Sequence, residues 1–295
     1  MLRIMTPLAI FAFNRPKEFA NMLASLKQNP LFEESEKYIF IDGPRNDKDA
    51  ELIKEVEQIA LTVTDNVKLS PKNKGLGSSI IEGVSEVLGN HESVIVLEDD
   101  LNLMPGFLTY MNEALERFKN DERVLAVCGY SLKIKTPKGY DSTVYLGDRA
   151  SSWGWGTWHD RWEKVDWGVS DWKEFSNDKK AISRFNQCGS DMYGMLRDYM
   201  EGHNRSWAIR FCYHQFRNGM FSVHPVKSLV DNEGFGESAT NCRQKYNRFK
   251  IELTYSINLN VNGELKPNKS LLHQLHRYHS IPIRIYSRIR KILNI

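Results

Sequence analysis

The chain has 295 residues, 41% of them hydrophobic, which suits one large α/β domain with a buried core. It contains no apolar run of about 18 residues and no signal-peptide pattern, so the sequence predicts a cytoplasmic protein without a membrane span. Four cysteines stand far apart without a CxxC pair, a pattern typical of reduced thiols. They are Cys128, Cys188, Cys212 and Cys242.

The formal net charge of +3 is unevenly distributed along the chain. Seven basic residues and no acidic residue follow Glu264, so residues 265–295 carry +7, and subtraction from the total leaves −4 for residues 1–264. An acidic body argues against a nucleic-acid-binding protein, which carries its positive charge on a folded face. We therefore predict a single domain over residues 1–264 and a basic amphipathic tail over residues 265–295.

The first part of the chain alternates strand-like and helix-like segments, the pattern of a mostly parallel sheet flanked by helices. The predicted strands are 8–13, 38–41, 67–69 and 93–97, and the predicted helices are 18–27, 49–60 and 76–88. The later part is less regular, with strands at 123–127 and 220–223 and helices at 191–200 and 207–217. This alternation predicts a nucleotide-binding half over residues 1–110.

Three successive carboxylates, Glu98, Asp99 and Asp100, follow the apolar strand at 93–97 directly. They repel one another unless a cation compensates them, and a divalent metal with a diphosphate would do so. An isolated acidic triplet can equally be a solvated turn, but its place after an entirely apolar strand favours a site. Ligands of an open parallel sheet bind at the carboxyl ends of its strands. Other polar residues at predicted strand ends are Asn14, Arg15, Asp42, Asn73 and Lys74.

The strand followed by the acidic triplet and by Pro105, Gly106 and Phe107 resembles the metal-binding DXD region of GT-A glycosyltransferases. The similarity is to the N-acetylglucosaminyltransferase I-like group and its bacterial nucleotide-diphospho-sugar transferase relatives. Further matching segments are 11–16, 42–44, 73–77, 151–158, 206–211, 225–230 and 232–236. Their order along the chain is fairly specific, and the resemblance covers about residues 5 to 242.

The resemblance implies a Rossmann-like GT-A fold, with an acceptor half over residues 111–264. It implies an enzyme that transfers a sugar from a nucleotide-diphosphate sugar, UDP-linked, to a carbohydrate or lipid-linked glycan in surface polysaccharide synthesis. Asp100 would be the direct ligand of Mn²⁺ or Mg²⁺, Asp99 would face the ribose or the metal's water shell, and Glu98 would support the pair. The metal neutralises charge on the leaving nucleoside diphosphate. Residues implied to contact the nucleotide sugar are Phe11, Asn14, Arg15, Asp42, Lys74 and Arg210.

Six of the seven tryptophans lie between residues 153 and 172. Indole rings stack on sugar C–H surfaces, but buried tryptophan is also a routine core residue. By the resemblance, Trp153, Trp155 and Trp158 line the acceptor or sugar site, in a tight loop that Gly154 and Gly156 allow. We expect the other three of this group in the core: Trp162, Trp167 and Trp172.

An inverting transferase needs a base that removes the proton of the acceptor hydroxyl. Related chains carry a carboxylate after a tryptophan, but residues 207–210 contain none. Asp191 resembles an acidic position in the bacterial relatives and is the candidate base; it could equally be a residue that stabilises a helix N-terminus. Related chains often have a histidine where Asn241 stands, so a second metal ligand from that side stays unassigned.

Two other classes of function remain open at this point. A nucleotidyltransferase also pairs a Rossmann-like half with acidic metal ligands, but it would carry a glycine- and arginine-rich phosphate loop after the first strand. A carbohydrate-binding module suits the tryptophans and does not explain the acidic triplet. The tail mixes apolar and basic residues, and Pro282 is expected to divide it into two helices. The tail could bind the inner face of an anionic membrane, or pack on the body or a second subunit.

Overall fold

The computed structural model describes residues 5–232, 248–249, 251 and 253–293, without the side chains of residues 291 and 292. Within these residues the strands are β1 (Leu8–Ala12), β2 (Lys37–Ile41), β3 (Val67–Leu69), β4 (Ser93–Glu98), β5 (Leu101–Leu103), β6 (Val124–Cys128), β7 (Val144–Gly147), β8 (Trp155–Trp158), β9 (Phe221–Pro225) and β10 (Val230–Asn232). The longer helices are α1 (Pro16–Leu26), α2 (Asp47–Leu61), α3 (Leu76–Leu88), α4 (Phe107–Phe118), α8 (Met192–Met200), α9 (Trp207–Arg217), α10 (Lys269–Tyr278) and α11 (Ile281–Leu293). The shorter ones are α5 (His159–Trp162), α6 (Trp172–Phe175) and α7 (Lys179–Phe185).

An eight-stranded sheet in the order β3-β2-β1-β4-β8-β6-β9-β7 forms the centre of the molecule. Strands β3, β2, β1 and β4 are parallel to one another, whereas β8 runs antiparallel to both β4 and β6. At the far edge β9 is parallel to β6, and β7 is antiparallel to β9. The short strands β10 and β5 pair separately. The predicted α/β class, a mixed and mostly parallel sheet flanked by helices, is confirmed.

Strand β1 shows why this sequence forms a sheet covered on both faces. All five of its residues are buried. Leu8 and Ile10 pack into one hydrophobic cluster, and Ala9 and Phe11 into a second cluster on the opposite face. Successive side chains of a strand point to opposite faces, so an unbroken apolar run requires an apolar layer on each side.

The segment expected to form a tight tryptophan loop is strand β8, inserted between β4 and β6. Trp155 and Trp158 lie on its two faces, in the two different core clusters, and are 1% and 4% exposed. A Cβ at position 156 would lie 2.7 Å from the carbonyl oxygen of Val94, so glycine permits the close approach of β4. The expectation that these two indoles line a sugar site is therefore wrong: both belong to the core.

Pro282 does divide the C-terminal segment, since α10 ends at Tyr278 and α11 begins at Ile281. Helix α10 packs against β7, with Leu271 and Leu275 buried in the main core. Helix α11 exposes a row of apolar side chains, Ile281, Ile285, Tyr286, Ile289 and Leu293. The first tail helix thus packs as part of the body, and the second presents an apolar surface.

Three of the four cysteines, Cys128, Cys188 and Cys212, are buried free thiols. Cys242 and Asn241 lie outside the described residues, as does most of the matching segment at 232–236. No helix in the described part of the chain is both long enough and apolar enough to span a membrane.

Candidate functional site

The carboxyl ends of β1, β2 and β4 and the loop before α3 enclose a cavity of about 380 Å³, which we call the strand-end cavity. The parallel arrangement of these strands brings their ends to one edge of the sheet, where the predicted site was expected. Six of the predicted residues line it: Phe11, Asn14, Arg15, Asp42, Glu98 and Asp99.

Arg15 bridges the two aspartates of the acidic triplet. Its guanidinium donates to Asp99 through Nη2 and to Asp100 Oδ2 through Nη1, at 3.1 Å in the second case. Asp99 Oδ2 also accepts from the backbone N–H of Phe13 at 3.3 Å, and Asn232 Nδ2 donates to Asp100 Oδ1 at 3.1 Å. The segment that follows β1 and the last residue of β10 therefore converge on these two carboxylates, which follow β4.

The triplet carries more negative charge than Arg15 alone compensates. Burial, together with the charges of Asp100 and Asp99, raises the pKa of Glu98 to about 8, although Arg15 acts against this rise. Burial also raises the pKa of Asp99 to about 6, although Arg15 acts against this rise. Carboxyl groups with raised pKa values release their protons readily when a cation arrives, so the site favours a further positive charge.

Asp42 holds the loop that closes the other side of the strand-end cavity. Its carboxylate accepts from the backbone N–H groups of Gly43, Lys74 and Gly75, each at 2.9 Å, and from Asn73 Nδ2 at 3.1 Å. Gly75 has φ +78°, a conformation that favours glycine. Asp42 thus shapes the loop, and its oxygen atoms are already engaged by protein donors.

A second cavity, of about 280 Å³, lies beside β7 and β9 and is closed by α8 and α10; we call it the aromatic cavity. Trp153 lines it, in edge contact with Tyr130 and Phe249 at centroid distances of 4.5 and 5.8 Å. Leu275 and His279 contribute a wall at the end of α10. Of the three tryptophans predicted to line a sugar site, Trp153 is the one that reaches a cavity.

Asp191 also lines the aromatic cavity, where its carboxylate pairs with Arg149 Nη1 at 3.0 Å. It precedes α8, but its side chain caps no backbone N–H of that helix. Burial raises the pKa of Asp191, but Arg149 and then Arg284 outweigh this effect and hold it below its ordinary value. The carboxylate is therefore ionised at neutral pH, as a proton acceptor must be.

Residues 8–165 match the glycosyl transferase family 2 domain. The match covers more than half of the chain and includes the acidic triplet and β8. The chain belongs to glycosyl transferase family 2.

Solved structures agree with this family assignment at the level of the fold. The structure of GalNAc-T7 with UDP, GalNAc and Mn²⁺ aligns with a TM-score of 0.51 at 10% identity, over 78% of this chain and 43% of that one. This chain thus spans less than half of the GalNAc-T7 chain. The likeness supports the GT-A fold.

Two further structures align with lower scores. S. aureus TarS 1–349 gives a TM-score of 0.37 at 14% identity, over 52% of this chain and 47% of that one. Mannose-1-phosphate geranyltransferase from Thermus thermophilus gives 0.39 at 13% identity, over 78% of this chain and 76% of that one. Both scores are too low to support an inference. No curated protein sequence matches the chain.

The oxygen atoms around the acidic triplet fit a hard divalent cation in this family 2 chain. Carboxylates of Asp99 and Asp100 and the side-chain amide of Asn232 are the donor types that Mg²⁺ and Mn²⁺ prefer. The ligand atoms of another group, Asp198, Glu201 and His203, converge at the exposed end of α8, outside both cavities. An arginine pairs with two carboxylates in each place, so the position of the acidic triplet beside a cavity at strand ends is what favours it as the metal site.

Two residues implied to contact the nucleotide sugar have their charged groups elsewhere in this glycosyltransferase fold. Lys74 Nζ pairs with Glu82 at 2.5 Å, and Lys74 is not among the residues that line either cavity. Arg210 is buried, donates to the carbonyl oxygen of Trp167 at 2.9 Å, and lies over the Tyr199 ring at 4.3 Å. Arg210 holds two segments of the domain together, because its fixed charge must be satisfied where it is buried.

Several residues that line these cavities were not among the predicted site residues. Arg45 lines the strand-end cavity, with its guanidinium 4.8 Å from the centre of the Phe13 ring and bonded to Asp49. It stands just after the turn that ends β2, so the strand-end rule could have found it. Arg149 and Arg248 line the aromatic cavity, and no local signal in the sequence marks either of them.

Proposed function

We propose that this chain is a metal-dependent glycosyltransferase that moves a hexosyl or N-acetylhexosaminyl group from a UDP-linked sugar to a glycan or lipid-linked glycan. The observation that carries the proposal is the acidic triplet at the end of β4: Glu98 and Asp99 line the cavity at the carboxyl ends of parallel strands, and Arg15 joins Asp99 to Asp100 beside it. Membership of family 2 supports nucleotide-sugar chemistry. Within this class, the sequence resemblance favours the N-acetylglucosaminyltransferase I-like group and bacterial surface polysaccharide synthesis.

The strand-end cavity is the proposed donor site. Asp99, Asp100 and Asn232 would hold Mn²⁺ or Mg²⁺, which supplies Lewis-acid stabilisation of the leaving nucleoside diphosphate when bound. Arg15 and Arg45 contribute positive charge toward the diphosphate oxygens. The backbone that follows β1 and the loop held by Asp42 would enclose the nucleoside.

The aromatic cavity is the proposed acceptor site. Trp153 offers an indole face on which a sugar ring can stack. Asp191, ionised and 3.0 Å from Arg149, would accept the proton of the acceptor hydroxyl. The oxygen of that hydroxyl bonds to the anomeric carbon as the bond from this carbon to the diphosphate oxygen breaks. Because the two cavities share no lining residue in the described part of the chain, the acceptor must extend from one toward the other.

The division of the chain supports the same assignment. Residues 1–110 would form the nucleotide-sugar half and residues 111–264 the acceptor half. Residues 265–295 would complete the acceptor half through α10 and offer α11 to the surface of an anionic membrane on the cytoplasmic side. Ile281, Ile285 and Ile289 repeat every four residues on one exposed face of α11, and basic residues flank them, as in helices that lie on membranes.

Calorimetry with UDP, with and without Mn²⁺, tests the donor assignment. Metal-dependent binding of UDP is the expected result. A preference for a nucleoside triphosphate would instead support a nucleotidyltransferase, and absence of nucleotide binding would support a carbohydrate-binding module.

Co-sedimentation with phosphatidylglycerol vesicles tests the membrane contact. The full chain should sediment with the vesicles at low salt and dissociate from them at high salt. Each basic residue near the anionic surface contributes about 1 kcal/mol of binding free energy, which salt screens. The control chain ends at Ser280, which removes α11 and keeps the core residues Leu271 and Leu275. Equal sedimentation of the two chains would show that α11 makes no membrane contact.

A further inference from the structure

Three arginines from distant parts of the chain surround Asp191 at the aromatic cavity. Arg149 pairs with the carboxylate directly, at 3.0 Å. Arg284, on α11, donates from Nη1 to Ser190 Oγ at 3.1 Å, next to Asp191 in the chain. Arg248 lies over the Phe249 ring at 4.4 Å and interacts electrostatically with Asp191 and with both other arginines. The tertiary fold therefore concentrates guanidinium groups at one place.

Positive charge exceeds negative charge among these side chains. Three guanidinium groups face the single carboxylate of Asp191, and guanidinium stays protonated in proteins. Burial, together with the charges of Arg149 and Arg248, lowers the pKa of His279 to about 3, so this imidazole is neutral and adds no charge. The nearby carboxylate of Asp148 is engaged by His276 at 2.6 Å. The excess of positive charge therefore favours binding of an anion in this cavity.

Two polar nitrogen atoms of the cavity wall form no hydrogen bond with the described residues. Arg248 Nη1 and His279 Nδ1 are both buried, and neither has a hydrogen-bond partner among the described residues. Buried polar groups are almost always hydrogen-bonded, so two unmet nitrogen atoms at one cavity indicate a missing partner. An anionic ligand with several oxygen atoms would supply acceptors for the guanidinium group.

Gly189 makes room for the Arg149–Asp191 pair. A Cβ at position 189 would overlap Arg149 Nη1 and would lie 2.8 Å from Asp191 Oδ1, so Gly189 gives the pair its space. Arg248 lines the cavity, whereas Arg284 stands beside it, next to Asp191. With Asp191 paired to Arg149, no other carboxylate among the described lining residues compensates the charges of these two arginines.

We propose that the aromatic cavity binds a phosphoryl group of the acceptor, held by Arg248 and Arg284 with Arg149, while Trp153 carries the adjacent apolar or sugar portion. Guanidinium groups match phosphate geometry with paired N–H donors. A volume of about 280 Å³ suits one phosphorylated unit rather than an oligosaccharide. This inference rests on the assignment of the aromatic cavity as the acceptor site.

The phosphate is distinct from the donor diphosphate, because the two cavities share no described lining residue. Two sources offer the same chemistry: a sugar phosphate within a glycan, and the phosphate of a lipid carrier. The exposed apolar row on α11, the helix that carries Arg284, would place the cavity near a membrane. Both a lipid carrier and a phosphorylated glycan therefore suit this position.

Calorimetry on the full chain tests the proposal, with UDP and Mn²⁺ first added to saturation so that the donor site is occupied. The probes are glucose 6-phosphate, farnesyl phosphate and, as the uncharged control, glucose. We expect at least one phosphate probe to bind at least tenfold more tightly than glucose. Binding of glucose 6-phosphate alone indicates a phosphorylated glycan, and binding of farnesyl phosphate alone indicates a lipid carrier.

Variants connect the binding to the arginines. Arg248→Gln and Arg284→Gln should each weaken the phosphate probe by about tenfold to a hundredfold, as expected for lost charged hydrogen bonds. Arg288→Gln is the matched control, because Arg288 is exposed one turn further along α11. Unchanged UDP binding in all three variants verifies that they fold.

The outcomes separate this inference from the proposed function. If UDP binds and the phosphate probes bind no better than glucose, or if the Arg248 and Arg284 variants bind them normally, the phosphate subsite is wrong and the donor assignment stands. If UDP does not bind, the donor assignment is wrong. The same titrations without UDP then decide the subsite by the same criteria.

Discussion

The two cavities of this molecule differ in charge and in construction. Three carboxylates line the strand-end cavity, those of Asp42, Glu98 and Asp99, and most of its lining residues lie at or just after the ends of β1, β2 and β4. The aromatic cavity is surrounded by arginines, and its residues range from Tyr130 to His279 on strands, loops and helices. An acidic cavity at strand ends suits a metal and a diphosphate, whereas a basic, aromatic cavity suits a different partner. The contrast supports a division between donor and acceptor, which mutations in each cavity can test.

The largest effect is expected from Asp100→Ala, beside the strand-end cavity. This change removes a carboxylate that Arg15 and Asn232 now contact, and with it the proposed metal ligand. Metal-dependent UDP binding should be lost, while the melting temperature stays near that of the native chain because charge repulsion is relieved.

Calorimetry with UDP and Mn²⁺ and a thermal melt measure the two quantities. Glu82→Ala, which removes an exposed carboxylate on α3, is the control and should bind UDP normally. Full transfer activity of the Asp100→Ala variant would contradict the donor assignment.

A smaller but still large effect is expected from Asp191→Asn in the aromatic cavity. Loss of a general base lowers turnover by about 10²- to 10⁴-fold, and UDP affinity should not change because Asp191 lies outside the strand-end cavity. Steady-state kinetics and UDP titration together measure this split. If turnover is unaffected, Asp191 only positions Arg149, the base lies elsewhere, and a retaining mechanism becomes an alternative.

Trp155→Ala and Trp153→Ala compare a core residue with a cavity residue. Trp155 is 1% exposed and stacks on Trp207 at 4.8 Å, so its truncation should cost about 3–5 kcal/mol of unfolding free energy. Trp153 is partly buried at the cavity wall, so Trp153→Ala should lower the free energy of unfolding by less and should raise KM for the acceptor. Denaturant melts and acceptor kinetics distinguish the two. An equal loss of stability would show that Trp153 is also a core residue.

The smallest effect concerns pH and the attachment of α10. The hydrogen bond from His276 to Asp148, at 2.6 Å, raises the pKa of His276 above its ordinary value. A raised folded-state pKa means that the pair stabilises the fold fully below about pH 6.5, and that this contribution, about 1 kcal/mol or less, is lost as the pH rises through the folded-state pKa. His276→Gln should therefore destabilise the chain at pH 5.5 and not at pH 8.5. Urea melts at both values check this, and a pH-independent loss would exclude the ion pair.

The strand-end cavity could be predicted in part because its signals are local. An apolar strand followed by charged residues favours a ligand site at the edge of a parallel sheet, so the sequence predicted that Arg15, Asp42, Glu98 and Asp99 lie together, and all four line this cavity. Lys74 belongs to the same pattern, but its side chain pairs with Glu82 on α3. The sequence does not indicate in which direction the Lys74 side chain points.

The aromatic cavity could not be predicted in the same way, because tertiary contacts assemble it. Trp153, Trp155 and Trp158 stand close together in the sequence, yet antiparallel pairing of β8 with β4 and β6 buries the second and third. Arg248 and Arg284 reach Asp191 from segments that follow it by more than fifty residues. Arg210 was predicted to contact the nucleotide sugar because of its charge. Its guanidinium instead donates to the carbonyl oxygen of Trp167 and to the hydroxyl of Tyr199.

The contribution of α10 and α11 to the aromatic cavity has a consequence for synthesis on the ribosome. Every described residue that lines the strand-end cavity precedes residue 100, whereas Leu275, His279 and Arg284 are translated last of those around the aromatic cavity. A domain folds as a unit, so segments that are translated early wait for the segments they pack against. The region around the strand-end cavity stays incomplete until β8, which pairs with β4, and Asn232, which contacts Asp100, have been translated, and the aromatic cavity gains its last wall only with α10.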